Sequence, residues 1–117
     1  MQGKTLKLAV FLVAALALVV SVDIAPDAVD LLLARGQGEN EVRIENRFFS
    51  CRGRSFALVR DGPPDDAENH DVVEAMGLII YVPRSMSFEN DIPRIATFPR
   101  TTGFRDVGVS NVIRNSR

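Results

Sequence analysis

The sequence predicts an α+β fold on three observations: a long apolar run near the N-terminus, two alternating segments around a glycine-bearing turn, and a β-branched run between breakers. The expected architecture is an N-terminal transmembrane or signal helix followed by a small outer part with a β-hairpin, one helix and a central strand. Residues 1–25 are read as the anchor or signal, 26–36 as a short amphipathic helix, and 37–117 as an exported α+β domain with an irregular C-terminal tail. A chain of 117 residues holds one domain at most. Set apart from its leader, so small a unit gains from an oligomer or a host complex.

In the leader, Lys4 and Lys7 precede the apolar run and no acidic residue occurs before Asp23. Residues 8–22 are apolar except for Ser21, a run of 15. Signal-peptide cores span about 7–15 residues and bilayer helices about 17–25. Including Thr5 and Leu6, with Lys7 reaching to the headgroups, brings 5–22 close to spanning. Cleavage signals are poor: a cut after Ala25 places Asp23 at −3 and Pro26 beyond it, and a cut after Ser21 has Val19 at −3. The reading is a retained anchor that contacts the membrane through residues 5–22, with a cleaved export signal as the alternative. The flanking lysines count against a buried core helix. Both readings leave the lysines inside and the rest outside, either on the cell membrane with a periplasmic or extracellular C-terminal part, or secreted.

"PDAVDLLLARG" reads as a helix with Pro26 in its first turn, Asp27 and Asp30 near its positive end and Arg35 near its negative end. Gly36 is the expected left-handed stop. "GQGENE" is a polar connection. In "EVRIENRFF", Val42 and Ile44 alternate with Arg43 and Glu45, which is a half-buried strand. "SFALVR" is a second strand, and the glycine of "SCRGR" allows a hairpin that brings Phe48 or Phe49 to Phe56. "DDAENHDVVEAMG" opens with carboxylates and ends on Gly77, which predicts a helix. "LIIYV" is the most strand-like run and the expected central strand. Beyond it, Pro93 and Pro99 interrupt the pattern, leaving "RIATF" and "DVGVSNVI" at best short strands.

Net charge is −1, yet it is unevenly spread. Residues 61–91 hold eight carboxylates against Arg84, and residues 92–117 hold five arginines against Asp106. The two stretches either pair, within one chain or between copies, or are separately solvated. Arg52, Arg54, Arg94, Arg100 and Arg105 are the candidate interaction residues. Cys51 is the single cysteine; flanking arginines favour its thiolate, though a lone thiol is usually a small packed hydrophobe. "CRGR" reads as an anion cradle or, more simply, a turn. The carboxylates of 61–74 miss the calcium-loop register, with Pro63 or Ala67 at its third position. His70 alone builds no metal site, and phosphate, dinucleotide and serine-nucleophile motifs are absent. "RFFSCRGRSF" interleaves bases and aromatics as single-strand binders do, but export and the net charge oppose nucleic acid. No cofactor, metal or catalytic residue is expected. The resulting expectation is a non-catalytic accessory or assembly subunit that docks on a membrane protein complex, with a protein partner or oligomer. A secreted soluble binding module is the alternative.

Overall fold

The computed structural model describes residues 21–101 and 103–114. Most of the expected anchor therefore lies outside the described residues, among which no helix is long and apolar enough to cross a membrane. The elements are β1 (Asp23–Ile24), α1 (Pro26–Gly36), β2 (Glu41–Cys51), β3 (Arg54–Asp61), β4 (His70–Ala75), β5 (Leu78–Pro83), β6 (Ser87–Phe88), β7 (Arg94–Thr101), β8 (Phe104–Val109) and β9 (Val112–Ile113). Seven strands form one curled sheet, a half-barrel, in the order β1-β7-β8-β3-β2-β5-β4, while β6 and β9 form a separate ribbon. The pairs β1/β7 and β2/β5 are parallel and the others antiparallel.

The α+β expectation is overturned: among the described residues strands take 55% and helical turns 18%, with α1 the single α-helix. The expected second helix is instead a short 3-10 turn, Ala67–Asn69, followed by β4. Adjacent Val72 and Val73 decide this. On a strand they point to opposite faces, and Asp71 and Val73 are buried while Val72 and Glu74 are exposed. Met76 and Gly77, at φ 53° and 80°, make the left-handed two-residue turn into β5, so Gly77 turns a hairpin rather than stopping a helix. At the end of α1 the left-handed residue is Gln37, not Gly36. β5 lies next to the edge, and β3 is the middle strand. Arg94–Thr101 and Phe104–Val109 are two full strands whose Ile95, Phe98, Val107 and Val109 are buried. Pro99 is accommodated because the β7–β8 register shifts between Pro99 and Thr101.

One face of the sheet carries the main core. Ala28, Val29 and Leu32 of α1 pack with Val42, Ile44, Ala57, Val59, Ile80, Val82, Ile95, Val107 and Val109. Val22, Ile24 and Ala25 join this cluster, so the folded body includes the residues just after the apolar run.

The opposite face holds a smaller cluster of Phe56, Leu58 and Phe98, with Phe49 and Cys51 against it. The Phe56 and Phe98 rings stack at 4.3 Å, and Gly108 lies beneath them. A Cβ at Gly108 would stand 2.9 Å from Ala57 O, Phe56 Cβ and Phe98 Cε1. Gly108→Ala is therefore expected to cost about 1–3 kcal/mol through overpacking, lowering Tm by about 4–8 °C per kcal/mol. Gly36→Ala is the control, because its nearest neighbour would be Glu39 Cβ at 3.9 Å. Equal melts for the two variants would refute the packing argument.

Candidate interaction site

The β2–β3 hairpin forms where the alternation predicts it, with Phe49 directly opposite Phe56. Its turn is Arg52 and Gly53, at φ 54° and 78°, so both are left-handed and the tip is tight. Arg54 follows at the start of β3, with its guanidinium 5.6 Å from the centre of the Phe56 ring. Sheet curvature carries β7 to this tip. The Cys51 thiol donates to the Pro99 carbonyl at 3.3 Å, and the Arg100 guanidinium lies 4.7 Å over the Phe49 ring. Cys51, Arg52, Pro99, Arg100, Thr101 and Gly103 line an open groove of about 320 Å³.

Three of the five candidate arginines, Arg52, Arg54 and Arg100, thus meet Cys51 at one end of the molecule. The other two do not. Arg105 is held on the α1 side, its Nη2 donating to Thr97 Oγ1 at 2.6 Å, while Thr97 Oγ1 donates to Asp27 at 2.8 Å. Arg94 starts β7 opposite Asp23 of β1, and its backbone N–H donates to Asn111 Oδ1.

Sequence reasoning missed a charged cluster behind the tip. Asp106 has a side chain only 3% exposed and carries three guanidinium contacts: Arg35 Nη1 at 3.2 Å, Arg60 Nη1 at 3.1 Å and Arg100 Nη1 at 2.8 Å. The Val107 N–H donates to Asp106 Oδ1 at 2.7 Å. Burial alone would raise the Asp106 pKa, but the Val107 N–H and the Arg60 and Arg100 guanidiniums overcome it and hold the carboxyl below its ordinary range. Arg100 is therefore half structural, shared between Asp106 and the Phe49 ring. The only hint in the sequence was that Asp106 is the lone carboxylate among the C-terminal arginines.

Some charges of the acidic stretch and of the basic tail are paired within the folded body. Among the described residues Asp71 pairs with Arg84 at 3.0 Å, Asp61 with Arg35 at 3.5 Å, and Arg100 with Asp106. His70 sits on β4, its Nδ1 3.0 Å from the Asp66 carbonyl and its ring edge-on to Tyr81, in a neighbourhood separate from that of Cys51. Among the described residues no group of three His, Cys, Asp or Glu side chains could hold a metal ion. Comparison of the chain with protein-family models, curated proteins and solved structures finds no match in any of the three.

Proposed function

We propose that the chain is a non-catalytic, single-pass accessory or assembly subunit, anchored by residues 5–22, whose folded body docks on a membrane protein complex from the periplasmic or extracellular side. One observation carries this reading: the sheet begins directly after the apolar run. The Asp23 N–H donates to Pro93 O and the Ala25 N–H to Ile95 O, both at 2.9 Å, and Val22 packs on the core. A span ending at residue 22 leaves no flexible linker, so the body is held against the membrane surface, within reach of partners in the same bilayer. The separate placement of Cys51 and His70 supports a non-catalytic role.

The test is the intact mass of the protein from alkaline-washed membranes and from the soluble fraction. The full-length mass, retained on the membrane, is the expected result. A soluble chain starting at Val22 would overturn the reading in favour of a secreted binding module. That cut leaves β1 whole, whereas one after Ala25 would remove it.

A further inference from the structure

β4 ends the sheet: among the described residues its strand neighbour is β5 alone. Strand alternation decides which of its backbone groups that ladder uses. The Asn69 carbonyl accepts the Arg84 N–H at 3.0 Å, in line with the β4–β5 register. Positions 69, 71, 73 and 75 therefore face β5. The N–H and C=O of Val72 and Glu74, with the C=O of His70, face away from it. The His70 N–H is taken by Ala67 O. Natural edges are blunted by charges, proline or bulges; "HDVVEA" has no lysine, proline or bulge, and of its two carboxylates Asp71 turns inward to Arg84 while Glu74 is exposed. It presents Val72, 55% exposed, and the turn that follows it presents Met76 at 64%.

We propose that β4 pairs antiparallel with β4 of a second copy of this chain, about a two-fold axis at Val72. On the face that carries His70, Val72 and Glu74 the sequence is complementary to itself in this register alone, with the His70 side chain 8% exposed, while on the buried face Asp71 comes opposite Val73. Centred on Val72, valine meets valine, and each Glu74 stands opposite His70 of the other copy. Centred on Glu74, two carboxylates collide; centred on position 71 or 73, Val72 faces His70 or Glu74. Apolar pairs and the avoidance of like charges favour the first arrangement. It forms four backbone hydrogen bonds: Val72 N–H to Val72 C=O in both directions, and Glu74 N–H to His70 C=O in both directions. The His70 ring need not move, since the Asp66 carbonyl and Tyr81 already hold it. The two sheets become one continuous sheet with the β1 edges at its far ends. This pairing goes beyond the anchored reading, because the edge is present whether or not residues 5–22 span a membrane.

The test uses the full-length chain carrying Cys51→Ser and Val72→Cys, oxidised with copper–phenanthroline in both membrane and soluble fractions. A hydrogen-bonded antiparallel pair sets its Cα atoms about 5.5 Å apart, within the range of about 4.4–6.8 Å that a disulfide accepts. The expected product is a reducible species of twice the chain mass for Val72→Cys, with Glu74→Cys in the same background remaining single. Light scattering in detergent should give two chains for the wild type and one for Val72→Lys, whose exposed position leaves the fold intact. A one-chain wild type, a dimer that survives Val72→Lys, or equal cross-linking at 72 and 74 would each overturn the proposal.

Discussion

A chain that begins at residue 37 is expected to lose its cooperative thermal melt. Truncation there removes β1 and α1, and with them Ala28, Val29 and Leu32, which are 0%, 8% and 1% exposed in the core. Val29 and Leu32 each contribute about 1.5–3 kcal/mol by burial. Their loss also uncovers Val59, Ile95, Val107 and Val109, which are at most 1% exposed in the whole body. Domains are stable by only about 5–15 kcal/mol in total, so nothing sufficient remains to order the sheet. The measurement is a melt of residues 37–117 beside the full chain. A sharp transition in the truncated chain would show that the sheet stands without its helix.

Asp106→Ala carries the second largest expected effect. Removing this carboxylate leaves Arg35, Arg60 and Arg100 without their shared counter-charge. Breaking a buried ion pair typically costs about 3–5 kcal/mol. The three guanidinium side chains are 27%, 27% and 33% exposed, so they recover some hydration and the lower figure, about 3 kcal/mol, applies. Because the folded-state pKa of Asp106 is depressed, its stabilisation is fully present above the unfolded carboxylate pKa of about 3.9 and is lost as pH falls through the folded value. The Tm gap between wild type and Asp106→Asn should therefore stay level from pH 7 to about 5 and close below about pH 4. A gap still undiminished at pH 2.5 would show that this carboxylate is not the titrating support.

How much was legible in the sequence depends on how local each signal is. Pro26, the aspartates and Arg35 all lie within one segment, and α1 follows from them. The β2–β3 hairpin is equally local: alternation brings Phe49 against Phe56, and Arg52-Gly53 turns the chain. β4 was misread because carboxylates before an apolar pair resemble a helix start. Its strand character comes from the tertiary pairing of Val73 with Ile80. β7 and β8 were underestimated because two prolines obscure the pattern, while the ladder from Ile95 to Phe98 forms between them. The site was less legible than the fold. Arg35, Arg60, Arg100 and Asp106 converge from four elements, and no spacing along the chain announces that.

The parallel pairing of β1 with β7 bears on when the protein can fold. Asp23 meets Arg94, 71 positions later in the chain. At a synthesis rate of about 5–20 residues per second, β1 waits about 4–14 s for its partner, and α1 waits as long for Ile95 and longer for Val107. Contacts so distant along the chain also slow the search itself. Throughout that interval β1 has no strand to pair with. The body closes only after almost all of it has emerged.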